Sequence, residues 1–422
     1  VKKLDKKLII TRLQTEQNDL KVNANMIVNA LFEDQKITEI SCETEEDKSI
    51  LGNIYIGRVK NIVENISAAF VEVENNRQCY YSFEDNKNAI FTKQQTGKKN
   101  KTPVRIGDEL LVQVNKENIK TKAPMVTSNL NFTGRYAVLT TGNKRLGFSN
   151  KLKEKQKNAL RPIFENYLSE EYGFIVRTNA KDAGVEELKI EVESLIQEYQ
   201  QIVSTAPYRT CFSLLKSAPS SYLENLRGIY IEGFQEIVTD CPNIYEEVRN
   251  FLDTYSFNEK CQIRLYEDAI LPLWKLYSLE FHLKEALKER VWLKSGAYLI
   301  IQPTEALTVI DINTGKYVVK KKAEEAYFKV NMEAAKEIAR QIRLRNLSGI
   351  IIIDFIDLKE EAEKEELLAV FASYLKKDPV QTTLIGMTPL NLVEITRKKV
   401  KKPLRESLTT FCPTCHGAGY LY

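Results

Sequence analysis

The chain has 422 residues, room for about two to four domains with a sizeable core. Its composition, 43% hydrophobic and 28% charged, is that of a globular protein, and no apolar run approaches the ~20 residues that span a bilayer. Net charge is only +4, which excludes a polycation, so a nucleic-acid surface must come from local clusters. Such clusters stand at Lys98-Lys99-Asn100-Lys101, Lys320-Lys321-Lys322 and Arg397-Lys398-Lys399-Val400-Lys401-Lys402. The opening Val1-Lys2-Lys3-Leu4-Asp5-Lys6 turns polar from Gln14 without a leader's apolar core, so a cytoplasmic protein is expected. Seven cysteines, scattered except for Cys412 and Cys415, argue against a disulfide framework.

In chain order, residues 1 to about 47 read as strands, with Leu8-Ile9-Ile10 and Met26-Ile27-Val28 as their apolar centres. From Asn53 short strands follow at Asn53–Val59, Ala68–Val73 and Cys79–Tyr81. A polar excursion over residues 84–102 then leads to a closing strand at Glu109–Val114. Several short strands with one long loop predict a Greek-key barrel of the OB type. Its aromatics Tyr55, Phe70, Tyr80 and Tyr81 are interleaved with Arg58, Arg77 and Lys116, a composition that suits stacking of single-stranded nucleic acid. For any one of these rings the barrel core is the commoner place. Residues 129–224 read as an α+β module: a strand at Gly134–Leu139, a strand at Gly173–Thr178, and amphipathic helices near Leu152–Leu168 and Glu186–Gln201. Residues 225–286 resume with a strand at Gly228–Ile231 and helical stretches, one of which carries His282, to which no role is assigned.

The most informative stretch is Leu307–Asp357. Leu307-Thr308-Val309-Ile310 leads into Asp311-Ile312-Asn313, and Ile350-Ile351-Ile352-Ile353 leads into Asp354-Phe355-Ile356-Asp357. β-Branched runs of this length predict buried strands. Between them Val330, Ala334, Ile338 and Ile342 recur every fourth residue, predicting a helix with one apolar face. Strand, helix and strand imply a parallel pair, with Asp311 and Asp354 on one carboxyl-end rim and Asn313 on the same side as Asp311. Two carboxylates and a carboxamide suit a hydrated Mg²⁺. Acidic residues at strand ends also serve as ordinary loop starters and caps.

Phe411-Cys412-Pro413-Thr414-Cys415-His416-Gly417-Ala418-Gly419 is a zinc half-site. A closed structural site needs four ligands, and this motif supplies two, or three with His416. A second copy of the chain could supply the remainder, which predicts a zinc shared across a symmetric dimer. A redox pair or no metal are the competing readings.

Thr304–Gly315, Ala339–Leu347, Ile353-Asp354-Phe355-Ile356-Asp357 and the Cys-Pro-Thr-Cys-His-Gly end together resemble the ribonuclease E/G family, in order along essentially the whole chain, and look closer to its ribonuclease G branch. The resemblance implies a multidomain α/β and α+β protein. Its expected parts are an RNase H-like domain (residues 1–47 and 225–286) interrupted by an OB barrel (48–128) and a 5′-sensor module (129–224). A DNase I-like domain (287–410) and a zinc link (411–422) follow. It further implies a Mg²⁺-dependent endoribonuclease that cuts single-stranded RNA to 5′-phosphate and 3′-hydroxyl ends in rRNA and tRNA processing and mRNA decay, stimulated by a 5′-monophosphate. Asp311 and Asp354 match the magnesium ligands and Asn313 the third active-site residue. Phe70 and Tyr80 fall where the barrel stacks RNA, Lys116 and Lys122 match basic residues at the barrel's end, and Gly134, Val138, Arg177 and Thr178 match the 5′-monophosphate pocket. Cys412 and Cys415 match the zinc ligands of a homodimer or dimer of dimers. Two departures stand out: Gln381 replaces a basic residue of the 5′ pocket, and the loop around residues 90–102 is longer than usual. Neither of the chain's two histidines lies near the Asp311 motif, so no side chain is an evident general base. Competing readings are a non-catalytic RNA-binding platform, which has no need of paired carboxylates, and a nuclease acting on DNA.

Overall fold

A computed structural model describes residues 6–13, 26–44, 50–86, 89–93, 103–116, 123–220, 222–223, 226, 234–254, 261–315, 323–409 and 413–415. The chain forms two compact units, Ser49–Tyr230 and the segments Val1–Lys48 and Ile231–Tyr422 together. The predicted strand at Gly228–Ile231 lies outside the described residues. Among the described residues no helix is long and apolar enough to cross a membrane.

Within Ser49–Tyr230, five strands close a barrel: Ile54–Val63, Ala68–Glu72, Gln78–Ser82, Met125–Thr127 and Glu109–Lys116, the last pairing back onto the first. Numbered along the chain, the order around the barrel is one, two, three, five, four, with the third and fifth strands parallel and the other pairs antiparallel. This is an OB-type closure, as the strand spacing predicts. Alternation fills the inside: Val59, Ala69, Val71, Cys79, Tyr81, Leu110, Val112 and Val126 form one buried cluster. The hairpin strand Ile90–Lys93 extends the sheet beside Glu109–Lys116.

The module that follows has a four-stranded sheet, in the order Asn131–Thr133, Ala137–Thr140, Gly173–Val176, Leu146–Phe148. Helices Glu154–Glu165 and Val185–Thr205 bury Leu160, Phe164, Leu188 and Val192 against Phe132, Leu139, Phe174 and Val176. The expected single strand Gly134–Leu139 is instead a turn at 134–136 between two strands. Its backbone amides are drawn off by a side chain 55 residues away in sequence.

In the other unit, Lys6–Leu13, Met26–Glu33 and Lys36–Thr44 form an antiparallel meander, and Phe234–Thr239 and Gln262–Leu265 add in parallel on its far side. The second sheet has six strands, in the order Arg290–Trp292, Tyr298–Pro303, Leu307–Asn313, Gly349–Asp354, Leu392–Arg397, Thr382–Met387. Leu307–Asn313 and Gly349–Asp354 are its parallel pair, joined through the helix Ala323–Leu344. Val330, Ala334, Ile338 and Ile342 are all buried on that helix, which is the predicted apolar stripe. With helix Glu361–Leu375 it covers one face of the sheet; Leu299, Ile301, Ile310, Ile312, Ile351, Ile353, Val393 and Ile395 alternate into that core. The far end of the first helix ties the two sheets together: Arg343 pairs with Glu33 at 3.3 Å and Glu39 at 2.6 Å, and Arg340 donates to the Ile37 carbonyl.

Candidate active site and nucleic-acid interface

Because the core takes every second residue of Leu307–Asn313, the alternate set Leu307, Val309, Asp311 and Asn313 lies on the uncovered face. The same alternation in Gly349–Asp354 leaves Asp354 exposed. The parallel register then pairs Asp311 directly with Asp354, so the two carboxylates stand on neighbouring strands about 5 Å apart at the backbone. Asn313 donates its amide to the Asp311 carboxylate at 2.6 Å, which fixes the carboxamide beside the pair and leaves its oxygen as an acceptor. Asp354 has its pKa raised, first by desolvation and then by the negative charges of Asp311 and Asp357. Asn331, on the crossover helix, holds the loop after Asp354 by bonding both the amide and the carbonyl of Ile356. Asn391 donates to Asp357 at 3.2 Å. Motif reading missed Asn331 and Asn391, and placed Asp357 in the motif without giving it a role. Asn331 sits on the helix stripe between core residues, and its amide side chain was the one available signal.

The rim suits a hard divalent cation. Two mutually repelling carboxylates, one with its charged form already disfavoured, are an oxygen donor set that a cation would relieve. An ion held by Asp311 and Asp354 would complete its shell with water, as Mg²⁺ does.

On the barrel the register separates the four candidate rings. Tyr55 and Tyr81 are core: the Tyr55 hydroxyl accepts from Asn53 at 2.8 Å, and that of Tyr81 lies 3.0 Å from Ser128. Phe70 and Tyr80 are directly paired, half-buried, and edge-to-face with centroids 6.3 Å apart. Pairing continues from Tyr80 to Met125 and on to Lys116, so two rings and an exposed ammonium lie in one row across the barrel. Arg58 does not join them, since it is engaged with Glu109 and stacks on Phe212. Lys122 and the 94–102 stretch lie outside the described residues.

In the 129–224 module, Gly134, Val138, Arg177 and Thr178 come together at one end of the small sheet. The Arg177 guanidinium donates to the Gly134 carbonyl at 2.7 Å, and the Thr178 and Ser149 hydroxyls are 3.0 Å apart. Val138 pairs with Ile175, which is 40% exposed, so this face is open to solvent. Glu191, which sequence reasoning missed, accepts the backbone amides of Arg135, Tyr136 and Ala137 at 2.8, 2.6 and 3.0 Å. Burial raises its pKa while those three donors pull it the other way. Position 134 must be glycine for this clamp, because a Cβ there would stand 2.5 Å from a Glu191 carboxylate oxygen. Gln381 lies in the other unit, its carbonyl accepting from the Lys398 amide.

His282 packs against Phe32 and Phe281, and burial lowers its pKa; it has no part in the rim. Cys42, Cys79, Cys211, Cys241 and Cys261 are free, with burial raising their pKa values. Cys415 is half-buried in the turn 413–415, while Cys412 and His416 lie outside the described residues.

Comparison with known proteins shows the family. Residues 131–400 match the model of the ribonuclease E/G family. The chain is 33% identical over 407 residues to ribonuclease G of Haemophilus influenzae, covering 95% of this chain and 83% of that one. It is 33% identical over 390 residues to ribonuclease G of Escherichia coli K12, covering 91% and 80%. It is 32% identical over 397 residues to ribonuclease E of Nostoc, covering 93% of this chain and 57% of that longer one. The chain belongs to the ribonuclease E/G family of endoribonucleases.

Proposed function

We propose that this enzyme cuts single-stranded RNA in a Mg²⁺-dependent hydrolysis that leaves 5′-phosphate and 3′-hydroxyl ends. The observation that carries the reading is the cross-strand pair Asp311–Asp354 with Asn313 bonded beside it. A Mg²⁺ bound by these carboxylates supplies Lewis acidity to the scissile phosphate. Asn313 orients the phosphate or the attacking water through its free carboxamide oxygen and its fixed amide. Phe70 and Tyr80 take up splayed bases by stacking, which a duplex does not offer, and Lys116 meets the backbone beside them.

Arg177 and Thr178 bind a 5′-monophosphate through a guanidinium and a hydroxyl, with Gly134 and Val138 shaping the pocket, so the substrate's 5′ end stimulates cleavage. Cys412 and Cys415 hold a zinc shared with a second protomer, in a homodimer or dimer of dimers; thiolates are suitable soft donors, and Cys415 is only half-buried in its turn. On this reading the five-stranded sheet is RNase H-like and the six-stranded sheet DNase I-like. The protein works in the cytoplasm in rRNA and tRNA processing and mRNA decay.

The test is cleavage of a fluorescent 5′-monophosphorylated single-stranded RNA with Mg²⁺ or with EDTA, followed by analysis of the product ends. Cleavage in Mg²⁺ alone, with 5′-phosphate products, is expected. Equal cleavage in EDTA, or 2′,3′-cyclic phosphate ends, would overturn the reading.

A further inference from the structure

The open face of the six-stranded sheet carries more than the acidic rim. Strand register fixes which side chains share that face, because directly paired residues project to the same side. Asn313 pairs with Tyr298, and Tyr298 pairs with Trp292. One row further along, Asp354 pairs with Asp311, Asp311 with Ile300, and Ile300 with Arg290. Trp292 and Tyr298 therefore extend the row that begins at Asn313, and Arg290 extends the row that holds both carboxylates. Their neighbours Val291 and Leu299 point the other way, into the helix-covered core. Two strand spacings of about 4.8 Å each separate Trp292 from Asn313, which places the rings within a nucleotide or two of the rim.

The three side chains form a cluster of their own, with the Trp292 and Tyr298 rings tilted 59° to each other. The Arg290 guanidinium lies 4.6 Å from the Tyr298 ring centroid and 5.8 Å from that of Trp292, and the two rings are 5.1 Å apart. Gly315, in the loop after Asn313, has φ +57°, and a side chain there would collide with the Gly296 carbonyl at 2.5 Å and crowd the Tyr298 ring at 3.1 Å. Trp292 nevertheless remains 56% exposed. The sheet's core does not need this tryptophan, and a charge such as Arg290 is sufficient to guard an edge strand. An exposed indole beside a tyrosine ring, with a guanidinium alongside and anionic chemistry next door, has the composition of a platform for unpaired bases.

We propose that Trp292, Tyr298 and Arg290 form a base-stacking shelf that grips the nucleotides beside the scissile phosphate. The shelf uses other residues than the Phe70–Tyr80 row, and its assignment rests on the endoribonuclease reading above. Trp292 stacks on a base, Tyr298 flanks the indole, and Arg290 contacts the adjoining phosphate. The shelf favours single strands for the same reason as the barrel, and it does so at the reacting bond, where it positions the phosphate over Asp311 and Asp354.

The test pairs enzyme variants with substrates that lack one base. Single-stranded RNAs carry an abasic nucleotide at the first or second position on either side of a mapped cleavage site, and each is cut by the wild type and by Trp292→Ala. At one of these positions, loss of the base is expected to raise KM of the wild type about tenfold, the size of one base–aromatic stack. Trp292→Ala should raise KM for intact RNA by the same factor and be indifferent to that abasic substitution, with Trp292→Phe restoring most of the loss. Equal sensitivity of both enzymes to base removal, or an unchanged KM in Trp292→Ala, would overturn the shelf, as would a variant whose only change is its oligomeric mass. A second readout does not depend on cleavage. In an Asp354→Asn background, single-stranded RNA should quench tryptophan fluorescence, and Trp292→Phe should abolish the quench while Trp274→Phe keeps it. If no variant cuts RNA yet this quench appears, the shelf stands and the hydrolytic reading falls. If RNA is cut and the quench is absent, the shelf falls and the hydrolytic reading stands.

Discussion

Phe70→Ala separates a binding surface from a core ring within one barrel. Phe70 is half-buried, directly paired with Tyr80, and in the same row as Lys116. Removing it costs the barrel an edge-to-face contact, worth about 0.5–1.5 kcal/mol, and costs bound RNA a stack, worth about 1–3 kcal/mol. At ~1.4 kcal/mol per tenfold, the affinity loss is about 5- to 150-fold. Tyr81, next in sequence but fully buried and within 3.0 Å of the Ser128 hydroxyl, is the internal control. Its truncation to alanine opens a cavity that costs about 3–5 kcal/mol and should unfold the barrel. Fluorescence anisotropy with a labelled single-stranded RNA and a thermal melt are measured on both variants. The expected pattern is a weak-binding but folded Phe70→Ala beside a destabilised Tyr81→Ala. A folded Phe70→Ala with wild-type affinity would refute the stacking role, and a melt as damaged as that of Tyr81→Ala would show that the ring is core.

Three further outcomes follow from the same geometry. The raised pKa of Asp354 means that its proton contributes stability below the unfolded carboxylate value of ~3.9, and that this contribution is lost as pH rises through the higher folded value. Melting of the metal-free protein across that window should show a component that Asp354→Asn removes and Mg²⁺ offsets; a variant with the same pH profile as the wild type would contradict it. Arg177→Gln should bring the cleavage rates of 5′-monophosphate and 5′-hydroxyl versions of one RNA together, and a preserved ratio would place the 5′ pocket elsewhere. Metal analysis with light scattering should find about half a zinc per chain in a dimer, lost in Cys412→Ser along with dimerisation; one zinc per monomer would instead indicate a closed intrachain site.

The acidic rim was legible because each inference needed only local pattern. The isoleucine run Ile350–Ile353 and the fourth-residue spacing from Val330 to Ile342 give strand, helix and strand, and parallel pairing then places Asp311 beside Asp354. The barrel's closure followed equally from strand spacing. What sequence left open was parity: Tyr80 and Tyr81 are adjacent and similar, and only the register decides which one faces out. What it missed depended on distant partners. The turn at Gly134 exists because Glu191 reaches it from a helix, and no local signal near residue 134 reports that carboxylate. The shelf of Arg290, Trp292 and Tyr298 was missed for a related reason, since three strands must be aligned before these side chains share a face with the carboxylates.

The paired carboxylates are the central claim, and substitution of either tests them most directly. With Mg²⁺ as the only divalent metal, Asp311→Asn and Asp354→Asn should bind single-stranded RNA as the wild type does and fail to cut it, because the change removes ion-holding charge and leaves the stacking surfaces intact. Cleavage by either variant at the wild-type rate would contradict the assignment of this rim as the active site.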